Sequence, residues 1–474
     1  MTNDEFRKHA HQLADWMADY YETIESLPVK PVGLKPGDIA SRFPGTVPEE
    51  GDSFDSVFAD FRDHLLPGMT HWQHPMFMAY FPANTSYPSV LAEMITATLG
   101  AQCMLWDTSP AATELETTVI NWIRNWFGFP DEWEGVIQDS ASSSTLAALI
   151  AAREKAESVN QNGFSGQRMV VYGTSQTHSS AEKAVRLAGI GSDGFRKVAT
   201  NERYEMDPRA LEEMVAEDRK AGKVPLAVVA TIGTTGIMAV DPVDAIATIC
   251  RRENLWLHVD AAYAGSLLAL PEFGWMKTGL DRADSFVFNP HKWMLTNFDC
   301  SVLLVRDAEH LVHSLSVIPD YLRTPVHGTA RNYSDWSVQL GRRFRSLKLW
   351  MVLRSYGASG IRSYLRGHLL LGKQIAEWVG SQPDFRVVMP VRFNLVPFRW
   401  EPSGVDRPEE NDRLSEKLMN RVNGSGQLYF THTRLEGRLI LRLVPGQSRV
   451  SERHIVAACR LIRETANQIL EEER

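Results

Sequence analysis

Between about Pro88 and Gly360 the chain repeatedly breaks helical patterns with short, continuously apolar runs: RMVVYG, VPLAVVATIG, LWLHVDAAYAG, SFVFNP and CSVLLVRD. These runs have the length of strands and fall well short of a membrane span. They also lack the polar alternate positions of a half-exposed strand, so they must be covered on both faces. A mostly parallel central sheet flanked by helices meets that demand, because parallel neighbours are joined through crossover helices. The fold class is therefore α/β.

The flanking segments read differently. Apolar residues at Phe6, Ala10, Leu13, Met17, Tyr20 and Ile24 follow 3–4 spacing, as do Phe54, Val57, Phe58, Phe61 and Leu65, which predicts two amphipathic helices. The stretch between them, SLPVKPVGLKPGDIASRFPGTVPEEGD, is rich in Pro and Gly and reads as an extended arm. Residues 1–87 lack a core of their own and are expected to pack on another body, a second subunit. From residue 361 onward a helix, the strand-rich RVVMPVRFNLVPFRW, another helix, GQLYFTHTRLEGRLILRLVP and a terminal helix from Ser451 predict a small C-terminal α+β domain. The expected segments are thus 1–87, 88–360 and 361–474.

A net charge of −8 with no Lys/Arg-rich run provides no electrostatic footprint for nucleic acid or a membrane surface. The opening MTNDEFRKHAHQLADW has no apolar core of a secretory signal, so a cytoplasmic protein is expected. Cys103, Cys250, Cys300 and Cys459 are far apart in apolar surroundings and read as buried structural thiols, which suits a reducing compartment. Sequons at Asn84, Asn332 and Asn423 carry no weight without a secretory route.

Several signatures are missing or misleading. Gly189, Gly191 and Gly194 of GIGSDG match GxGxxG spacing, but a helical pattern precedes them and a strand pattern follows, the reverse of a dinucleotide site. A turn is the better reading. No GxxxxGK[ST] loop, HExxH or paired CxxC occurs, so no metal site is expected.

The informative residues stand where strands end. Asp260 follows an apolar strand in LWLHVDAAYAG, where an unpaired carboxylate is costly and calls for a cationic partner. SFVFNPHKW brings Asn289, His291 and Lys292 to the carboxyl end of the next strand, the edge at which open α/β sheets place ligands. In GVIQDSASSSTLAALIAAR, Ser140, Ala141 and Ser142 open a helix whose free N–H groups favour an anion such as phosphate. His178 of THSSAEKA also precedes a helix. Taken singly, these are an ordinary N-cap, a paired carboxylate, a snorkelling lysine and a structural histidine. Together they are the set that pyridoxal 5′-phosphate requires: a phosphate cradle, an acid for the ring nitrogen and a Schiff-base lysine.

The runs YFPANTSYP, SPAATELE, HSSAEKA, HVDAAYAG and NPHKW resemble the group II pyridoxal-phosphate-dependent amino-acid decarboxylases, most closely the aromatic-L-amino-acid decarboxylase branch. The likeness covers nearly the whole chain. It implies fold type I of the pyridoxal enzymes, a homodimer with active sites at the subunit interface, and an N-terminal arm lying over the partner. By resemblance, Lys292 carries the cofactor, Asp260 keeps its ring nitrogen protonated, and His178 stacks on the ring and helps place the substrate carboxylate. Ser140, Ala141 and Ser142 with Asn289 are implied at the phosphate, while Thr235, Ala262 and His291 line the cofactor. The loop SVIPDYLRTPVHGTARNY is expected to close over the site, with Tyr321 returning a proton to Cα.

The substrate wall is implied to include Tyr80, Pro82 and Ala83, the last standing where several animal relatives have threonine. Gly341, before the double arginine of QLGRRFRSLKLW, is typical of members taking indolic or catecholic substrates. The expected activity is decarboxylation of aromatic L-amino acids, such as L-DOPA, 5-hydroxytryptophan, tryptophan, tyrosine or phenylalanine, to amines. The alternatives are oxidative formation of the aldehyde and decarboxylation of histidine or glutamate. A cofactor-free scaffold of the same fold is disfavoured by the presence of Lys292, Asp260 and His178.

Overall fold

A computed structural model describes residues 1–317 and 330–473. They divide into two compact units, one built from Met1–Pro82 with Leu370–Arg474 and the other from Ala83–Leu369.

The second unit contains the sheet that the apolar runs foretold. It has seven strands: β1 (Glu134–Gln138), β2 (Arg168–Thr174), β3 (Phe195–Val198), β4 (Lys223–Thr231), β5 (Trp256–Asp260), β6 (Ser285–Phe288) and β7 (Ser301–Val305), in the order β1-β7-β6-β5-β4-β2-β3. The neighbours β3, β2, β4, β5 and β6 all run parallel. The exception is β7, which lies antiparallel between β6 and β1. Every residue of β5, β6 and β7 is buried, as the absence of a polar face required.

Helices α3 (Tyr87–Leu99), α4 (Pro110–Phe127), α5 (Ala141–Ala156), the short α6 (Val159–Asn162), α7 (Ser179–Leu187), α8 (Pro208–Lys220), α9 (Val243–Glu253), the single turn α10 (Pro290–Trp293) and α11 (Ala308–Leu315) accompany the strands. The glycines of GIGSDG lie after α7 and before β3, with Gly189 and Gly191 at φ 80° and 87°, so they form the turn expected there. The long α12 (Arg345–Ser381) is interrupted at Gly357, whose φ of 61° and ψ of 173° are not helical.

In the first unit, an antiparallel sheet in the order β10-β11-β9-β8 is formed by β8 (Phe385–Val387), β9 (Val396–Trp400), β10 (Thr431–Leu435) and β11 (Arg438–Leu443). With α13 (Pro408–Gly424) and α14 (Glu452–Glu472) it encloses a core that includes Trp400, Leu418, Phe430, Leu441 and Ile462. The N-terminal residues are tied into this body by main-chain bonds. Val29 N–H donates to Gly426 O at 2.7 Å, Met78 N–H to Tyr429 O at 2.8 Å, and Val444 N–H to Met78 O at 3.0 Å. Glu25 receives both terminal nitrogens of Arg453, at 2.5 and 2.7 Å.

The described residues are thus organised as two units, with backbone bonds of Val29, Met76 and Met78 joining the N-terminal residues to the C-terminal segment. Helix α1 (Asn3–Thr23), capped by Thr2 and Glu5, buries only His9. It meets α2 (Phe54–Asp60) and the residues after it through Trp16, Phe58 and Phe61, and leaves Phe6 59 % exposed. Among the described residues no helix is long and apolar enough to cross a membrane.

A close approach fixes β1. A Cβ on Gly135 would come within 2.5 Å of Leu303 O and 2.7 Å of Leu304 Cδ2. Gly135→Ala is expected to push β1 off β7 and to lower unfolding free energy by about 1–3 kcal/mol, measured by denaturant titration.

Candidate active site

The carboxyl ends of β4, β5 and β6 lie side by side, since Thr231 is in register with Asp260 and Asp260 with Val287. Because the strands are apolar along their length, the polar side chains collect just beyond these ends. Asp260 is buried at the end of β5, and one of its carboxylate oxygens accepts Ala262 N–H at 3.0 Å. The main chain then crosses to β6, with Asn289 N–H donating to Ala262 O at 2.9 Å. Asn289 begins the helical turn α10, and Lys292 N–H closes it onto Asn289 O at 2.9 Å.

Burial lowers the pKa of Lys292, while the carboxylate of Asp260 opposes that shift. The same carboxylate favours the charged form of His178, whose pKa is nevertheless lowered by the surrounding protein and by Lys292. Asp260, Lys292 and His178 thus share one electrostatic field. His178 caps α7: its Nδ1 accepts Ser180 N–H at 3.2 Å, which places the ring proton of the neutral form on Nε2. In the single chain His178 is open to solvent, yet enough protein surrounds it to disfavour the imidazolium.

Ser140 caps α5, accepting Ser143 N–H at 3.3 Å and donating to Asp139 at 3.1 Å. Ala141 and Ser142 are the first residues of that helix, and their amides have no acceptor within it. Thr235 and Ala262 are partly exposed in the loops after β4 and β5. His291 is held through its Nδ1, which accepts Cys300 N–H at 3.0 Å, and its ring packs on Phe298, so it pins residues 298–300 to the turn that carries Lys292.

Tyr80 and Pro82 belong to the first unit, where Tyr80 has a φ of 52°, stacks on Trp72 and shares a hydrogen bond with the Tyr429 hydroxyl at 3.1 Å. Ala83 opens the second unit. Gly341 is exposed in the single chain, and a Cβ there would stand 3.3 Å from Gln102 Nε2. Tyr321 lies outside the described residues.

Two supports escape the sequence reading. Asn84, fully buried, donates from Nδ2 to Lys292 O at 2.7 Å and from its backbone to His291 O at 3.0 Å. The only sequence signal at Asn84 is a polar residue just ahead of a helix cap. His258, two residues before Asp260, joins three elements: Nε2 meets Thr145 of α5 at 3.1 Å and Nδ1 meets Ser285 of β6 at 2.8 Å, while Trp256 Nε1–H donates to the same serine hydroxyl.

This arrangement fits pyridoxal phosphate. A lysine amine eased toward neutrality by burial, a carboxylate beside it and an anion-favouring helix terminus are the three required chemistries. Two buried polar atoms at the same edge, Thr231 Oγ1 and Asn289 Oδ1, have no hydrogen-bond partner among the described residues and are suited to a polar ligand.

Comparisons with known proteins agree. Residues 36–401 match the family model described as the pyridoxal-dependent decarboxylase conserved domain. The chain is 42 % identical to a phenylacetaldehyde synthase of Arabidopsis thaliana, over 99 % of this chain and 97 % of that protein. It is 40 % identical to tryptophan decarboxylase 2 of Oryza sativa subsp. japonica, over 99 % and 96 %. A crystal structure of Oryza sativa TDC with PLP and tryptamine superposes with a TM-score of 0.95 at 36 % identity, covering 99 % of both chains.

Burial pulls His258 down to about 4 and His291 to about 3 from the usual 6.5. In the unfolded chain both take up protons first, so folding stability is fully present above pH 6.5 and falls as the pH drops through 6.5 toward 4. Denaturant midpoints measured across this range are expected to decline, and the decline is expected to be shallower in His258→Gln.

Proposed function

Because the chain belongs to the pyridoxal-dependent decarboxylase family, in its aromatic amino acid branch, we propose that it removes the α-carboxyl group of aromatic L-amino acids to give arylalkylamines and CO2. The observation that carries this reading is the common field of Asp260, Lys292 and His178, which follow the carboxyl ends of β5, β6 and β2 in one mostly parallel sheet. When bound, pyridoxal phosphate supplies an aldehyde that takes up an amine and a protonated ring that accepts the electron pair left when CO2 departs.

The residues of the chain supply the rest. Lys292, favoured toward its neutral amine by burial, is the nucleophile that holds the cofactor. Asp260, its carboxylate anchored by Ala262 N–H, would keep a proton on the ring nitrogen by favouring positive charge near it. The amides of Ala141 and Ser142 at the start of α5, together with Ser140 and Asn289, would hold the phosphate. Thr235 and Ala262 line the cofactor. His178 sets the substrate so that its Cα–carboxylate bond stands perpendicular to the ring, the orientation in which the departing pair overlaps the acceptor. Tyr321 then delivers a proton to Cα. Gly341, without a side chain, leaves room for indole- or catechol-sized substrates such as tryptophan, 5-hydroxytryptophan or L-DOPA.

The working unit is a homodimer with sites at the subunit interface, a reading supported by the apolar surface that α1 and α2 leave exposed at Phe6 and Val57. A monomer by sedimentation at micromolar concentration would count against it.

One rival has direct support, since the relatives include an aldehyde synthase. Purified protein is expected to be yellow and to bleach on borohydride treatment with the cofactor fixed to Lys292; Lys292→Ala is expected to lose that attachment. Given a panel of L-amino acids, the enzyme should release amine and CO2 in equal amounts. Aldehyde with hydrogen peroxide and oxygen uptake would select the rival, and a protein that binds no pyridoxal phosphate would end both readings. Tyr321→Phe is expected to lower amine formation by about 10²-fold, the usual scale for loss of a positioned acid, and to divert turnover toward aldehyde.

A further inference from the structure

The second unit contains another lysine that solvent does not reach. Lys348, in the first turn of α12, has no exposed surface. Its Nζ stands 2.7 Å from Glu93 Oε1 and 3.7 Å from Asp299 Oδ1. Each carboxylate has a second cation: Arg343 on Glu93, and Arg345 on Asp299 at 2.9 Å. Five charges from three chain segments therefore meet in one place, and none of them has a part in the chemistry above. Leaving such a centre half-paired is costly, so it ties its segments together strongly.

Those segments are the two supports of the turn that carries Lys292. On one side, Glu93 lies in the middle of α3. The residues leading into α3 hold the turn from above, with Asn84 bonded to His291 O and Lys292 O, and Ser86 Oγ donating to Leu295 O at 2.7 Å. On the other side, Asp299 is bonded in sequence to Cys300, whose N–H and C=O both engage His291. Both supports engage the Lys292 turn, and the Lys348 ammonium stands between a carboxylate of each.

We propose that Lys348 is a positioning residue for Lys292, its buried ammonium locking α3 to the 299–300 segment and so fixing the backbone from which Lys292 projects. The proposal rests on the reading of Lys292 as the residue that holds the cofactor. Burial draws the Lys348 amine down to about 8 against the pull of Cys300 and Asp299, with Arg343 and Arg345 reinforcing the shift, so the group remains largely charged at neutral pH.

The test compares wild-type holoenzyme with Lys348→Met, which keeps the aliphatic stem and removes the charge, and with Lys348→Arg. Three quantities are read: kcat and KM separately, the pH midpoint of the bound cofactor's absorption band, and hydrogen–deuterium exchange of residues 291–300 in cofactor-free protein. For Lys348→Met, kcat is expected to fall about 10-fold or more with KM within about 2-fold, as for a displaced reacting group. Its band midpoint should shift and exchange at 291–300 should quicken, with Lys348→Arg restoring most of each. A Lys348→Met holoenzyme with wild-type kcat, band midpoint and exchange overturns the proposal. Should that variant fail to fold, Asp299→Asn is read in the same way: a lowered kcat at unchanged KM supports the lock, and an unchanged kcat overturns it. Wild-type protein without cofactor fixed at Lys292 after borohydride defeats the parent reading, whereas a fixed cofactor with an indifferent Lys348→Met defeats only this one.

Discussion

One buried carboxylate, Asp260, sets the electrical balance of the site. Around it, burial acts to discharge both Lys292 and His178, and the field of Asp260 is the opposing influence that both groups share. A carboxylate can occupy that position only because the strand ends there. One residue earlier it would lie within a layer of side chains covered on both faces, and one residue later it would be in the loop. The parallel sheet therefore does more than support the site. Its strands are mostly apolar, and the polar groups they do carry, such as His258 and Ser285, are bonded to one another, so the groups open to a ligand collect beyond the ends of β4, β5 and β6.

Much of this was legible in the sequence, for a physical reason. Residues such as Val228, Val229, Phe286 and Leu303 are buried on both faces, so their runs have no polar alternation and read as central strands. The polar residue that ends each run then stands out, and Asp260, Asn289 and Lys292 could be placed by eye. What was not legible depends on tertiary geometry. Asn84 looks like an idle sequon until its side chain is seen to hold the Lys292 carbonyl. His258 looks like one residue of an apolar strand, yet it joins α5, β5 and β6. His291 precedes the lysine in the sequence, but only the fold shows that it also ties the Lys292 turn to Cys300 and Phe298.

How the segments group into units was not legible for a related reason. Hydrophobic spacing reports which face of a helix is buried, but not against what. The Pro/Gly-rich stretch after α1 looked like an arm with nowhere to go. Val29 within it donates its backbone N–H to Gly426 O, hundreds of residues away, and such a pairing leaves no periodic trace in the sequence.

The start of α5 has one more implication. If the phosphate rests on the amides of Ala141 and Ser142, the recognition element is main chain, which every amino acid except proline supplies equally. Side chains at these two positions are then free to vary without loss of the anchor, while the helix itself, and the strand that aims it, are not. Drift in this part of the protein would leave the cofactor's hold intact as the residues around it change, and a comparison of sequences alone would understate how strongly the feature is maintained.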